Sequence, residues 1–515
     1  MNNDDTSVAL KYHNFTKHSP YEHRSYPYAL DPRMKPIPYK IYDDERVEQI
    51  LFPDKISTSE ITALDAISSN KISRDRDHVP TLQELSQVLY FSAGINKVIN
   101  YGDHFHPFRA AACTGALYHI DLYAICGELS DLKAGVYHFD VRFPDMKLNR
   151  IRDGDYRGTL ANATGKETFV IDAPVTIAFT STFWRNSWKY NDRTYRHCFW
   201  DNGTILANTL AEASALNLPT KLVMGFVDDE VNRLLDIDTE FEATMSLVPL
   251  GYAPSMRPTD VKQVEPLNLK TLPLSESQIN YTIVSTTHSA SNLSSSAQVK
   301  KWREAPLSYV KVPPKGKLVQ LKPITQVQPT KSIEKVIIKR GSIREFDPTS
   351  ITFQEFSTIL DASTHGIPFD FLGNGGYLND MYLIVNDVEG LDSGSYVLHR
   401  ENRALELLEK GNFREDARFL DLGQDLAGDA SVNVYFLTDL KSVLERFDDR
   451  GYRVAQLEAA ITGGKLYLTA YALNLGASGI TFYDDPVTDF FSPHAEGKSI
   501  MFLTAVGHPR RRSKK

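Results

Sequence analysis

Only three cysteines occur in 515 residues, Cys113, Cys126 and Cys198, at no metal-ligand spacing and in no disulfide framework. That excludes a metal- or disulfide-stapled scaffold and makes a reducing, cytoplasmic setting the expectation. No apolar run nears the ~18 residues of a membrane span. The polar opening MNNDDTSVALKYHNF has no apolar signal core. Nucleotide loops are missing too, since no Gly-x-Gly-x-x-Gly follows a strand and no loop ends in Gly-Lys-Ser/Thr. Leu372-Gly-Asn-Gly-Gly376 is too short and wrongly spaced for either, and there is no Gly-x-Ser-x-Gly elbow. His104-Phe-His106 lacks further ligands at metal spacing and reads as a surface or core pair, so no metal is expected. A net charge of -8 argues against nucleic acid as the main partner. The basic tail His508–Lys515 is the local exception, and a solvated end is its plain reading.

What is present is ordinary for a soluble globular chain: 42% hydrophobic and 24% charged residues. The length suggests two to four domains. Shifted by about 257–259 residues, the chain lies on itself. Gly135-Val-Tyr137 falls on Gly394-Ser-Tyr396, and Gly154-Asp-Tyr-Arg157 on Gly411-Asn-Phe-Arg414. Asp172–Phe179 falls on Asp429–Phe436, and Asp192-Arg-Thr-Tyr-Arg196 on Asp449-Arg-Gly-Tyr-Arg453. Ala215–Leu218 falls on Ala472–Leu475, and Asp228 on Asp485. Preserved order and nearly constant spacing make this a duplication.

The expected organisation is an arm over 1–45, copy one over 46–254, a Pro/Ser/Thr-rich linker over 255–330, and copy two over 331–515 ending in the basic tail. Thr81-Leu-Gln-Glu84 and Thr352-Phe-Gln-Glu355 fit capping boxes ahead of helices. Leu82, Leu85, Val88 and Leu89 carry the first helical pattern. Strands are expected at Leu122–Ile125, Val175–Phe179, Tyr382–Val385 and Val432–Phe436, with a further one near Leu222–Val227. Longer helices run through Leu206, Leu210 and Ala213, and through Leu466, Ala470 and Leu473. Without regular strand-helix alternation this is α+β, with helices packed on mainly antiparallel sheet.

Lys339-Arg340-Gly-Ser342-Ile-Arg344-Glu-Phe346 stands just ahead of the second capped helix. In an extended stretch Arg340, Ser342 and Arg344 face one side and converge on an anion, although such charged stretches are ordinarily just solvated. Copy one has only the irregular Lys71-Ile-Ser73-Arg74-Asp-Arg76 there.

At these residues the chain resembles a family. Arg-x-Ser-x-Arg-x-Phe before a capped helix resembles the FMN phosphate grip of nitroreductases, and Gly507-His-Pro-Arg-Arg511 resembles their basic C-terminus. Arg109-Ala-Ala-Ala-Cys113-Thr114-Gly115-Ala116-Leu117-Tyr118 is similar to the loop signature of SagB/ThcOx-type dehydrogenases. So are Gly135–Phe139, Tyr195-Arg196, and the opening His13–Ser19 of tandem members. The resemblance implies two fused nitroreductase-like α/β sandwich domains forming an intramolecular pseudo-dimer, with higher oligomers left open. It implies FMN held by Arg340, Ser342, Arg344 and Arg511 of copy two, with the ring lined by Arg109, Cys113, Thr114, Gly115 and Ala116 of copy one. One composite site is expected, the pseudosymmetric second being degenerate. Cys113 reads as a small weak hydrogen bonder and His119 as structural.

Lys189-Tyr190 in copy one aligns with Arg446-Phe447 in copy two, so the phenol and the titratable amine occur once. The resemblance makes them the catalytic pair of an azoline-oxidising enzyme, with hydride passing to FMN N5 and O2 reoxidising the flavin. A lysine base needs its reference pKa of ~10.4 lowered, and Arg185, Arg193 and Arg196 are the nearby cations. Alternatively Lys189 is an exposed loop lysine. Trp184, Trp188 and Trp200 wall a cleft or pack a core. Three functions stay open: an azoline oxidase acting on a peptide or small molecule beside other natural-product enzymes, an NAD(P)H-dependent reductase of small electrophiles, and a non-catalytic binding scaffold.

Overall fold

Thr81 and Thr352 each accept a hydrogen bond from the amide three residues on, and Glu84 and Glu355 reach back to the cap amides. These boxes satisfy donors that a helix start leaves unpaired. Helices Leu82–Ala93 and Phe353–Thr364 follow, as the sequence predicts. The computed structural model describes residues 7–21, 30–69, 74, 76–101, 104–142, 144–258, 260–304, 313–324, 331–373 and 375–510.

Two antiparallel sheets carry the β-rich runs. Copy one orders Glu48–Leu51, Lys147–Asp153, Gly135–Asp140, Ile120–Cys126, Val175–Thr182 and Glu242–Leu250 side by side. Copy two orders Phe346–Asp347, Ser499–Pro509, Val432–Thr438, Asp380–Val385, Gly394–His399, Ala404–Lys410 and Leu318–Gln320, with Gly476–Gly479 also on Ser499–Pro509. Cys126 pairs with Val175 in one sheet and Val385 with Val432 in the other, a register the duplication superposes. The strand expected near Leu222–Val227 is instead an extended segment with isolated bridges. Leu222 meets Phe369 of copy two while Val223 meets Leu247 of copy one, so the segment straddles the copies rather than joining a sheet.

The long helices Thr194–Ala215 and Arg450–Ala472 are buried almost throughout and pack against each other. A Cβ on Gly203 would stand 2.5 Å from the Cβ of Ala460, and one on Gly464 2.6 Å from that of Ala207. Under the duplication Gly203 corresponds to Ala460, and Ala207 to Gly464. Each residue therefore packs on its own counterpart, as at an isologous twofold contact. The copies form a pseudo-dimer within one chain.

Residues 255–330, expected as a linker, carry helices Thr282–Ala290 and Ser296–Glu304 and the edge strand Leu318–Gln320. The order repeats that of copy one, where helix Val8–Phe15 precedes edge strand Glu48–Leu51. Arg196 donates to the His13 carbonyl and the Thr16 hydroxyl, and Arg453 donates likewise to the His288 carbonyl and the Ser291 hydroxyl. The supposed linker thus holds the counterpart of the N-terminal arm. Its helices bury few apolar side chains, Val284 in one and Val299 and Trp302 in the other, too few for a periodic signal. No helix among the described residues is long and apolar enough to cross a membrane.

Candidate active site

The loop Cys113–Tyr118 leads into the central strand of copy one. Gly115, Ala116 and Tyr118 lie at φ of +62°, +55° and +50°, a left-handed region that costs a non-glycine residue about 1–2 kcal/mol. Asp201, buried on the long helix, holds the loop there. Its Oδ1 accepts from the Thr114 amide at 2.9 Å and hydroxyl at 2.7 Å. Its Oδ2 meets the Cys113 thiol at 3.0 Å and His119 Nε2 at 2.7 Å. Burial, then the Asp201 charge, pushes the Cys113 thiol well above its usual range, which favours a neutral donor over a reactive thiolate. The ligand-type atoms of Cys113, His119 and Asp201 lie within 4.8 Å of one another. Donors already fill the carboxylate, so we read the cluster as a hydrogen-bonded clasp.

Sequence reasoning missed Asp201. The signal was there, because Tyr195-Arg196 precedes Asp201 as Tyr452-Arg453 precedes Glu458. Glu458 accepts from the amide and side chain of Asn379, ahead of copy two's central strand.

Helix Phe183–Tyr190 brings the second element. A Cβ on Gly115 would stand 2.7 Å from the Tyr190 hydroxyl, so only glycine lets the phenol lie on the loop. The Tyr190 ring meets His197 edge-on at 4.6 Å, and Lys189 Nζ, on an exposed side chain, sits 5.2 Å from the ring centroid. Burial pushes the phenol's pKa up, helped by Asp201 and Cys113 and opposed by Arg344 of copy two. The structure therefore gathers Tyr190, Lys189, Cys113, Thr114, Gly115 and Ala116, with Arg344 within electrostatic reach of Tyr190.

Other expected groups are engaged elsewhere. Arg185 pairs with Asp121, while Arg193 and Arg196 pair with Asp484, so none of the three is left free to act on Lys189. Arg340 is the C-cap residue of helix Ile333–Lys339, and no strand begins between it and Phe346. Its Nε and Nη2 donate to the Ala110 carbonyl and its Nη2 also to that of Arg109, bracing copy one's loop. Arg109 in turn donates to the Ile120 and Pro38 carbonyls and lies over Tyr118 at 5.3 Å. These two arginines are struts. Ser342 and Arg344 stand exposed beyond them, with Ser342 Oγ 3.4 Å from the Tyr467 hydroxyl. Arg511 lies outside the described residues.

The tryptophans hold neighbouring elements together. Trp200 donates to Gln456 across the long helices at 2.6 Å and packs on Phe482 and Phe502. Trp184 donates to Ser275 and Trp188 to the Asp31 carbonyl.

The corresponding positions of copy two are packed with aromatic rings. Phe371 stands where copy one has Ala112, and the rings of Trp302, Phe371 and Phe447 pack together with centroids 5.2–5.4 Å apart. Arg446, aligned with Lys189, donates to the Trp302 carbonyl. Arg74 pairs with Asp172 and lies 4.4 Å and 4.5 Å from the rings of Phe169 and Tyr252, while Lys71 and Ser73 fall outside the described residues. Copy one's small residues instead leave a cavity with room for about one water, lined by Ala93, Ala111, Ala112, Cys113 and Asp201.

Residues 82–252 and 337–508 both match the Nitroreductase family. The chain belongs to the nitroreductase family. Its members are typically FMN-dependent oxidoreductases. A solved "putative nitroreductase" from Anabaena variabilis aligns over 98% of this chain and 100% of its own, with TM-score 0.77 and 25% identity. "Putative nitroreductase MJ1384" of Methanocaldococcus jannaschii is 27% identical over 39% of this chain and 96% of its own. The trifolitoxin-processing protein TfxB of Rhizobium leguminosarum bv. trifolii is 27% identical over 36% of this chain and 52% of its own length.

Proposed function

We propose that this nitroreductase-family chain is an FMN-dependent dehydrogenase of the SagB/ThcOx type that oxidises an azoline ring in a peptide, at one composite site. The observation that carries the reading is the Tyr190 hydroxyl set against Gly115, beside Lys189. The duplication supplies this phenol and amine once, and the aligned Arg446 and Phe447 are taken up in packing. The similarity to a protein named for processing the peptide trifolitoxin favours a peptide substrate.

The residues present suit the cofactor. Ser342 and Arg344 stand exposed at the domain junction, and a Cβ on Gly341 would meet only the Tyr471 hydroxyl, at 3.6 Å. Copy one has the small Ala111 and Ala112 where copy two has Asp370 and Phe371, whose ring packs on Trp302. Ser342 and Arg344 would hold the phosphate, and the Cys113–Ala116 loop would line the ring. Bound there, FMN supplies a hydride acceptor at N5. Aromatising the ring removes one hydride and one proton, and O2 ends as hydrogen peroxide. Tyr190 orients the substrate ring and relays the departing proton, and Lys189 is the base that accepts it.

The test is an absorbance spectrum of purified protein with released flavin quantified per chain, followed by turnover of a thiazoline peptide under air. Near one FMN per chain, with turnover lost in Lys189→Ala and Tyr190→Phe while flavin stays, is expected. Rapid bleaching by NADPH with no azoline turnover would turn the reading to reduction of small electrophiles. A stable fold that takes up no FMN would leave a binding scaffold.

A further inference from the structure

Copy one carries a β-hairpin that has no counterpart among the described residues of copy two. Strands Ile95–Tyr101 and His104–Arg109 follow helix Leu82–Ala93. In copy two, helix Phe353–Thr364 leads almost directly to Pro368, the counterpart of Arg109. The hairpin is its own two-stranded sheet, and among the described residues neither strand pairs with anything else. A lone ribbon of this kind is marginal in water and presents unpaired amides and carbonyls along its edges.

Its root is part of the candidate site. The Ala110 amide donates to the Gly94 carbonyl at 2.9 Å, and Arg340 grips the carbonyls of Arg109 and Ala110. Ala93 and Arg109, at the two ends of the insertion, line the small cavity under the Cys113 loop.

The two edges differ. Val98 stands opposite Pro107, with Lys97 opposite Phe108 and Ile99 opposite His106. Proline has no N–H, so Val98–Pro107 has to be a non-hydrogen-bonded pair, and its neighbours make the ladder bonds. Alternation then turns the amide and carbonyl of Val98, and of Asn100 two residues on, to the outer edge of the first strand. The second strand's outer edge is blunted by Pro107. His106 and Phe108, half-buried and edge-on at 4.8 Å, form an aromatic platform on the face shared with Lys97 and Ile99.

We propose that the outer edge of Ile95–Tyr101 receives an extended segment of a peptide substrate as an added strand, whose flanking residues then reach the Tyr190–Gly115 site. The inference rests on the proposed peptide-oxidising function and names how that substrate is held. A backbone ladder recognises a peptide by its amides, independent of most side chains. A small electrophile would have no use for it, and among the described residues the hairpin occurs only in the copy whose site is open.

The experiment uses the full FMN-loaded chain and three probes: a fluorescein-labelled ten-residue peptide bearing one thiazoline, its twin N-methylated at alternate amides, and free methyl thiazoline-4-carboxylate. Val98→Pro and Asn100→Pro each remove an outward amide and leave the internal ladder intact. A third variant joins Ile95 to Arg109, which pair in the structure, through an Asn-Gly turn, and covers the case in which a proline variant misfolds. Fluorescence anisotropy is expected to show binding at least tenfold weaker for all three variants and for the methylated twin, with flavin content and oxidation of the free ester unchanged. Undiminished peptide affinity in the folded variants, or no peptide binding by the unaltered chain, overturns the docking edge. Turnover separates this from the proposed function. Peptide binding without oxidation of peptide or ester refutes the chemistry and leaves the edge standing, and ester oxidation without peptide binding does the reverse.

Discussion

Arg453 of copy two donates to Asp228 of copy one at 2.7 Å, and the pseudosymmetric partner of that bond runs from Arg196 of copy one to Asp484 of copy two at 2.6 Å. Arg450 and Arg193 complete the two clusters. Asp228 also accepts from the Leu293 amide and Asp484 from that of His18, so each cluster closes over one arm. The sequence shift set Asp228 on Asp485, but Asp485 is exposed and pairs with Lys17, and Asp484 holds the equivalent place. Removing one partner from a buried ion pair leaves charge uncompensated, at about 3–5 kcal/mol. Urea unfolding should show losses of that size for Asp228→Ala and for Asp484→Ala. Asp485→Ala should stay within about 0.5 kcal/mol. Equal, small effects at all three would refute the lock.

Acid should loosen the arms before it titrates the carboxylates. Burial, then Arg196, holds His13 well below the usual histidine range, and burial, then Arg453, does the same to His288. Burial lowers His138 to about 4. These rings stay neutral in the fold while the unfolded chain takes up protons near pH ~6.5, so the unfolded state binds more protons. Stability is therefore complete above pH ~6.5 and declines as pH falls from there toward 4, by at most about 1.4 kcal/mol per pH unit per group. Urea midpoints at pH 7.5, 6 and 5 should fall in order. The double variant His13→Gln, His288→Gln should flatten that slope, and an unchanged slope would assign the acid loss elsewhere.

The duplication was legible because its matched residues sit in contiguous strands and helices, where spacing survives divergence. Lys189-Tyr190 and the Cys113–Ala116 loop, which the structure brings together, stand out in the sequence for the same reason, each being a departure of one copy from the other. The arm was not. His13 and Thr16 match His288 and Ser291 at another offset, and they bind arginines through a backbone carbonyl and a hydroxyl, contacts that leave little trace in composition. The carbonyl contacts of Arg340 and Arg109 were hidden for a related reason. A sequence shows that a guanidinium is present but not which carbonyls will surround it, and a folded loop offered both arginines backbone acceptors before any ligand could.

Gly115 should tolerate no side chain. At φ +62° an alanine costs about 1–2 kcal/mol in backbone strain, and its Cβ would stand 2.7 Å from the Tyr190 hydroxyl, so the ring has to move. Under the proposed function, Gly115→Ala should lower kcat per bound flavin by tenfold or more, while the unfolding free energy falls by about the backbone strain alone. Steady-state rates with flavin quantified on the same samples check this. Retained turnover would show that the phenol's place on the loop is incidental.

Trp302 should stabilise the chain without gating flavin. It is 6% exposed, packs on Phe371 and Phe447, and donates to the Phe447 carbonyl at 3.2 Å. Truncating a buried tryptophan to alanine removes about 3–5 kcal/mol. Under the proposed function, the space it leaves adjoins Phe371, next to the copy-two loop that would line a second flavin. Phe371 still occupies part of that site, and Arg74, the counterpart grip, stays paired with Asp172 between two aromatic rings. Trp302→Ala should therefore unfold at lower urea and still release about one FMN per chain. Two FMN per chain would mean that the tryptophan alone closes the second site, and that the grip around Arg74 can release its carboxylate to take a phosphate.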